Sequence, residues 1–242
     1  LISLIPPDLM EEDMNLTFSK IGTAGGKQAL SASLYQEHQG WDNMVTAIGW
    51  DRILISSVLT KENQRFVGLN FKEASEKAGY KDPAYLMADL LANENGKVGI
   101  ILLSMSQEDV DTVAKLPYSM LISDALYGVS DCPHPRLYGT FPHFLQDYVV
   151  KRKIFTMEQA IEKMTYMPAK RLNLKNRGLL KEGYFADLNV FSPEQFVDHA
   201  TYEDSKKVST GLSYVFVDGQ IALQDGKRQK GYSANLLNHK EI

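Results

Sequence analysis

The apolar positions of the chain change their spacing along its length, and each spacing predicts a type of element. Residues 50–58 contain a short apolar run, which predicts a strand. Further along, Asp82 and Pro83 provide an N-cap and a first-turn proline, apolar side chains follow at helical spacing, and Asn95-Gly96 ends the pattern. We therefore predict a strand and then a helix in this part of the chain.

Two apolar runs flank a helical pattern between residues 98 and 122. The first run is almost continuously apolar, and Ser106 and Asp109 after it have the spacing of a capping box. Apolar strands without alternation are typical of a parallel sheet that is buried on both faces, and two such strands joined by a helix form a right-handed crossover. The pattern predicts a βαβ unit whose second strand ends just before Asp124.

The last third of the chain has the period of β-strands. A helix is predicted to begin at Thr156, whose capping-box partner is Gln159, and from about residue 174 apolar and polar positions alternate. Asp218-Gly219 lies between two alternating runs, which is typical of a hairpin with a tight primed turn. We therefore predict antiparallel strands here, distinct from the α/β part before them.

Composition narrows the class of protein. The chain has 242 residues, 44% of them hydrophobic, which is enough for a substantial core. Its net charge is -4 and its Lys and Arg residues are scattered, which argues against nucleic acid and favours a small-molecule partner. The apolar run at residues 1–5 is too short to span a bilayer, so no membrane partner is predicted. The single cysteine, Cys132, is compatible with a reducing compartment and predicts a cytoplasmic location.

The loop after residue 122 carries the side chains best suited to chemistry. Asp124 follows the predicted buried strand, and residues 133–138 read Pro-His-Pro-Arg-Leu-Tyr. Barrel enzymes place a catalytic acid or base at a strand end, although an aspartate that caps the next turn explains this position equally well. The two prolines fix the backbone around His134 and Arg136 more than a solvated loop requires. We predict that Asp124 is catalytic.

The neighbours of Asp124 suggest how a substrate is held. Arg136 offers a planar fork for a carboxylate, and His134 suits a metal ligand, a proton shuttle or a residue that orients another group. Tyr138 is a candidate for the pocket lining, with simple packing as the alternative. The sequence contains no His-x-His, His-Glu-x-x-His or Cys-x-x-Cys motif, so a complete metal site cannot be assembled from it.

Four groups of segments make the chain resemble the amidohydrolase superfamily and, within it, the N-acyl-D-amino-acid deacylases, or D-aminoacylases. They are residues 4–7; residues 49–53 with 104–110; residues 123–124 with 133–136 and 139–141; and residues 178–188 with 215–219. The third group is the most diagnostic, and the fourth indicates the superfamily rather than the substrate. The resemblance covers essentially the whole chain as the C-terminal half of a longer protein, and we expect a start upstream of Leu1.

The resemblance implies the C-terminal part of a (β/α)₈ TIM-type barrel with a lid insertion, plus a small antiparallel β-sandwich domain. Residues 1–173 would be the barrel portion, with the lid at about residues 8–97, and residues 174–242 would belong to the β-sandwich. It also implies one or two divalent metals, usually zinc, at the carboxyl face of the barrel. The histidines and the bridging Cys or modified Lys that hold these metals would lie in the N-terminal half of the same protein.

The activity implied by the resemblance is hydrolysis of N-acyl-D-amino acids to a carboxylate and a free D-amino acid. In the family, a metal-bound water attacks the amide carbonyl, and an aspartate at the end of the last barrel strand passes the water's proton to the leaving amine. Asp124 matches that aspartate, both as catalytic residue and as metal ligand. Arg136 matches a position expected to face the substrate, and His134 and Tyr138 are assigned to substrate binding with it. Ala125 departs from the glycine that the family usually has there, which restricts the local turn.

Two other functions remain open at this stage. One is an amidohydrolase of the dihydropyrimidinase, hydantoinase or dipeptidase type, which would act on cyclic amides or dipeptides. The other is a non-catalytic degenerate barrel that serves in assembly or binding. In either enzymatic case we expect this chain to be inactive without its N-terminal half.

Overall fold

The computed structural model describes residues 1–127, 130–231 and 237. They belong to two compact units. The first unit comprises Leu1–Ser106 and Tyr127–His134, and the second comprises Gln107–Leu126 and Pro135–Ile242. Within the described residues, no helix is long and apolar enough to cross a membrane.

The first unit is mainly helical and encloses its own core. Its helices and strands are α1 (Met14–Ile21), α2 (Ala24–Leu34), α3 (Met44–Ile48), β1 (Ile53–Ser57), α4 (Phe71–Ala78), α5 (Pro83–Asn93) and β2 (Gly99–Leu102). Short 3₁₀ turns lie at Ile2–Leu4, Pro7–Leu9, Trp50–Arg52 and Asn63–Phe66. Leu30, Ile55, Phe71 and Met87 are completely buried in this core.

The sequence signals for α5 are confirmed. The Asp82 side chain accepts a hydrogen bond from the amide of Ala84, and Pro83 is the first helical residue. Asn95 and Gly96 both have positive φ, at 49° and 71°, and so end the helix where the sequence indicated. The predicted strand at residues 50–58 is present as β1.

The second unit contains helices followed by a sheet. Its elements are α6 (Gln107–Lys115), α7 (Arg136–Phe144), a π-helix (Leu145–Lys151), α8 (Met157–Met164), α9 (Tyr166–Arg171), β3 (Leu188–Phe191), β4 (Leu212–Val217), β5 (Gln220–Gln224) and β6 (Lys227–Arg228). Phe144, Tyr148 and Phe196 are buried in its core together with Ala160 of α8. The capping box between Thr156 and Gln159 is present at the start of α8, as predicted.

Strands β3 to β6 form one antiparallel sheet in the order of the sequence. Val217 of β4 pairs with Gln220 of β5, so the hairpin loop between them consists of Asp218 and Gly219. Both loop residues have positive φ, 49° and 76°, which is the conformation of a type I′ turn. The antiparallel character of the last third and its primed turn are therefore confirmed.

The predicted βαβ crossover is wrong. Strand β2 pairs with β1 in antiparallel orientation, with Ile53 opposite Leu102. Residues 119–122 form no strand, because no strand of the described residues pairs with them. On α6, the apolar residues Val110 and Val113 are 37% and 50% exposed. An apolar run indicates that a segment is buried, but it does not specify the direction in which a strand pairs.

Glu94, just after α5, holds a loop of the first unit through its buried carboxylate. The residue is 1% exposed, and its carboxylate accepts hydrogen bonds from the amides of Leu59 and Thr60 at 2.5 and 2.9 Å. It also accepts hydrogen bonds from the Thr60 hydroxyl and, at 2.5 Å, from the Asn63 side chain. Burial alone would raise the pKa of Glu94, but the hydrogen bonds from Thr60, Asn63 and Leu59 outweigh it and lower the pKa below its ordinary value of 4.5.

We expect Glu94→Gln to lower the free energy of unfolding by about 2 kcal/mol, because a neutral amide replaces an ionised acceptor in a buried set of hydrogen bonds. Urea unfolding at neutral pH measures this loss, and Glu37→Gln, at an exposed position, is the control. The folded-state pKa is lowered, so the stabilisation is present above pH 4.5 and is lost as the pH falls through the folded-state pKa. If wild type and Glu94→Gln differed in unfolding free energy by the same amount at neutral pH and at a pH well below that pKa, the assignment would be contradicted.

Candidate active site

Asp124 lies in an irregular segment rather than at the end of a buried strand. Its φ is +45°, a left-handed conformation that aspartate adopts more readily than most residues. The hydroxyl of Ser123 accepts a hydrogen bond from the amide of Ala125 at 3.3 Å, which closes a tight turn around Asp124. The Asp124 side chain is 65% exposed. The aspartate therefore projects from a sharp local turn and is accessible to solvent.

Arg136, the first residue of α7, holds Asp124 by two contacts. Its Nη2 lies 2.5 Å from Oδ2 of Asp124, and its Nε donates to the Asp124 backbone carbonyl at 3.0 Å. The Arg136 side chain is 43% exposed, so the ion pair contributes at most about 1 kcal/mol to stability. Its geometric effect is larger, because one planar guanidinium binds both the carboxylate and the main chain of the same residue.

Tyr202, in the connection between β3 and β4, lies near enough to Arg136 for the charge of the guanidinium to affect its phenol, and the sequence analysis did not single it out. Burial raises the pKa of its phenol, and the nearby Arg136 cation partly offsets that rise. Tyr202 belongs to no recognisable motif and lies far from Asp124 along the chain. No local signal in the sequence therefore identifies it.

The other two predicted substrate-binding residues have different settings. Tyr138 is in the first turn of α7, where its amide donates to the carbonyl of Pro135 at 3.1 Å. Residues two apart on a helix do not face each other, so the helix alone does not bring Tyr138 beside Arg136.

His134 belongs to the first unit. The segment before it is attached to β1, since the Ser130 hydroxyl and the Cys132 amide both donate to the Ser56 carbonyl at 3.0 Å.

Gly139 allows α7 to approach the chain that follows β3. A Cβ atom at this position would lie 2.2 Å from Oδ1 of Asp198, so only glycine fits without movement. The Asp198 carboxylate also accepts a hydrogen bond from the Ala200 amide at 2.9 Å and lies 3.3 Å from Nδ1 of His143. This close packing fixes the helix whose first residue binds Asp124.

The described part of the chain does not form a metal site by itself. It contains no group of three or more His, Cys, Asp or Glu side chains that would hold an ion. Catalytic zinc sites use three protein ligands and keep a further position open. Asp124 offers one carboxylate, so the residues present do not fit a complete metal centre.

Comparisons with known proteins show what the part of the chain around this site resembles. Residues 110–223, which include Asp124 and Arg136, match the family model described as "Amidohydrolase family". An N-acyl-D-aspartate deacylase of Alcaligenes xylosoxydans xylosoxydans is 35% identical over 161 residues, which are 66% of this chain and 31% of the relative. The chain is related to the N-acyl-D-amino-acid deacylases. The resemblance to this family is thereby confirmed for the matched part of the chain.

Two further deacylases support the relationship. A D-aminoacylase of Alcaligenes xylosoxydans xylosoxydans is 39% identical over 127 residues, which are 52% of this chain and 26% of that protein. The crystal structure of an N-acyl-D-glutamate deacylase from Bordetella bronchiseptica, complexed with zinc and a phosphonate inhibitor, aligns with a TM-score of 0.65 and 28% identity. That alignment covers 76% of this chain and 38% of the other. The chain thus spans about a third of the length of these deacylases.

We expect Arg136→Lys to loosen the Asp124 turn with little loss of overall stability. Lysine keeps the positive charge but cannot bind the carboxylate and the main-chain carbonyl with one planar group. Amide hydrogen exchange of residues 121–126 should become faster, while the unfolding free energy changes by less than about 1 kcal/mol. Arg171→Lys, at an exposed position in α9, is the control. Equal exchange in the two variants would contradict the clamping role of Arg136.

Proposed function

We propose that this chain is the C-terminal part of a metal-dependent amidohydrolase that hydrolyses the amide bond of N-acyl-D-amino acids to a carboxylate and a free D-amino acid. The observation that carries this proposal is the Asp124–Arg136 pair, which lies within the residues that match the family model. The relatives supply the substrate class, because they are named for the N-acyl-D-amino acids on which they act.

In the proposed reaction Asp124 carries the proton. Its accessible carboxylate accepts a proton from the attacking water and delivers it to the nitrogen of the leaving amine, so that one side chain acts first as a base and then as an acid. Arg136 holds the main chain of Asp124 and places a guanidinium beside it, where a substrate carboxylate is matched by charge and planar geometry. His134 and Tyr138 are proposed as further substrate-binding residues.

Asp124 is also the metal ligand that we propose for this chain. The structure of the Bordetella relative is described as a zinc complex, which favours zinc as the metal. The described residues do not complete a metal centre, so the remaining ligands would come from another part of the longer protein. The N-terminal half of the same protein is therefore the partner that we propose for this chain.

The proposed domain division follows from the same relationship. Residues 1–173 are assigned to the barrel portion, with a lid insertion at about residues 8–97, and residues 174–242 to the β-sandwich portion. The antiparallel sheet from β3 to β6, whose strands all lie beyond residue 173, supports the assignment of the second portion. A lid above the carboxyl face of a barrel would exclude water from the reaction.

We expect Asp124→Asn in the full-length, zinc-loaded protein to reduce kcat at least about 100-fold, because an amide cannot carry the proton. Release of free D-amino acid from N-acetyl-D-amino acids measures this loss. Asp225→Asn is a matched control, since Asp225 is also an exposed aspartate with positive φ, 46° against 45° for Asp124. Undiminished deacylation by the Asp124 variant would end its assignment as the proton carrier.

A substrate panel separates the proposed activity from its alternatives. The full-length protein is expected to hydrolyse N-acetyl-D-amino acids at least about tenfold faster, in kcat/KM, than the L forms, hydantoins or dipeptides, a discrimination of about 1.4 kcal/mol. Preference for hydantoins or dipeptides would identify the other amidohydrolase class. Inactivity of the zinc-loaded protein on the whole panel would favour a non-catalytic module.

The 242-residue chain by itself is expected to release no D-amino acid from these substrates. Its described residues lack a complete metal centre, and one carboxylate cannot activate water as a bound metal does. The same assay on the chain and on the full-length protein tests this, with zinc supplied to both. Deacylation by the isolated chain would show that its own residues are sufficient.

A further inference from the structure

Lys163 of α8 makes contacts that neither the motifs nor the proposed reaction explain. The residue is 8% exposed, and its Nζ donates to the carbonyls of Leu116 and Ser119 at 2.8 and 3.0 Å. Nζ also donates to the hydroxyl of Ser119 at 3.1 Å. In the opposite direction, the amide of Leu121 donates to the main-chain carbonyl of Lys163 at 3.2 Å. One helical residue thus makes four hydrogen bonds to the segment 116–121.

A lysine is rarely buried, because removing an ammonium from water is costly unless its donors are satisfied. Here the three acceptors around Nζ all belong to the segment 116–121. Burial lowers the pKa of Lys163, and the neighbouring Glu162 partly restores it. The hydrogen bonds that compensate for burial of the Lys163 ammonium therefore require segment 116–121 to keep this conformation.

The segment depends on these contacts more than a strand would. Residues 119–122 make no strand pairing with the described residues, so no sheet ladder fixes their position. Asp124 follows Leu121 by three positions, and Arg136 holds it from the other side. The main chain that carries the Asp124 carboxylate is thus fixed by α8 before the turn and by α7 after it.

We propose that Lys163 is a positioning residue for Asp124, holding segment 116–121 so that the Asp124 carboxylate is presented in the geometry that proton transfer requires. This inference rests on the proposed function for its catalytic readout. The Nζ atom of Lys163 donates to Leu116 and Ser119, so Lys163 acts on Asp124 through the main chain of residues 116–121.

The first test is Lys163→Met in the full-length, zinc-loaded protein. Methionine retains an unbranched apolar chain but removes all three Nζ donors. Displacement of a reacting group by about 1 Å can reduce rate about 100-fold, so we expect kcat to fall 10- to 100-fold while KM changes less than about threefold. Lys170→Met, at an exposed position in α9, is the matched control and should keep kcat within about twofold. Wild-type kcat in the Lys163 variant would overturn the proposal.

A double-mutant cycle shows whether Lys163 acts through Asp124. If it does, adding Lys163→Met to Asp124→Asn should reduce kcat by no more than about twofold further, because the carboxylate to be positioned is already gone. If Asp124→Asn lies below detection, the amide exchange of residues 116–124 in Lys163→Met decides the question instead. A full multiplicative loss in the double variant would mean that Lys163 acts independently of Asp124 and would overturn the proposal.

A milder variant and a physical readout keep the test decisive. If Lys163→Met fails to fold, Ser119→Ala removes one acceptor of Nζ and should lower kcat a few-fold with the same non-additivity. Should the enzyme show no deacylation, or should Asp124→Asn be fully active, the proposed function fails, and amide exchange of residues 116–124 then tests Lys163. That exchange should be faster in the variant that folds, Lys163→Met or Ser119→Ala, than in Lys170→Met; equal rates would overturn the positioning role.

Discussion

The hydrogen bonds between Lys163 and the segment 116–121 are the constraint on which the candidate site depends. They join α8 to a stretch of chain that has no strand partner among the described residues, and the turn containing Asp124 follows directly. Arg136 then binds the carboxylate and the carbonyl of Asp124 from α7. Because α7 and α8 contribute to one apolar core, packing of that core sets where the carboxylate lies.

In the first unit, too, a buried charged side chain holds an irregular segment by hydrogen bonds. Glu94 is buried and holds the chain from Leu59 to Asn63 by accepting hydrogen bonds from main-chain and side-chain donors. In both units a single charged residue at or near a helix stabilises an irregular segment. Throughout the described residues, every fully buried side-chain nitrogen or oxygen has a hydrogen-bond partner. Buried charged side chains are tolerated because all their hydrogen bonds are formed. Removing the charged group leaves its donors or acceptors without a partner.

The relationship to the deacylases is the basis for the reaction proposed at the Asp124 site. In the proposed reaction the Asp124–Arg136 pair would combine a proton acceptor with a cation that suits an anionic substrate. The related enzymes are named for N-acyl-D-aspartate and N-acyl-D-glutamate. The chain covers about a third of those proteins and contributes one carboxylate to the proposed metal centre. The proposed enzyme is thus assembled from distant parts of a longer chain, of which this one supplies the proton carrier.

Local signals in the sequence determined much of this protein. The caps of α5 and α8 and the I′ turn at Asp218-Gly219 follow from residues close in sequence, because capping and turn geometry are properties of a few consecutive residues. Only the tertiary structure decided that β2 pairs antiparallel with β1 and that Lys163 binds the segment before Asp124. Strand direction and contacts between distant segments depend on which surfaces meet in the fold. The spacing of apolar residues indicates which side chains are buried, but it does not indicate which segment they pack against.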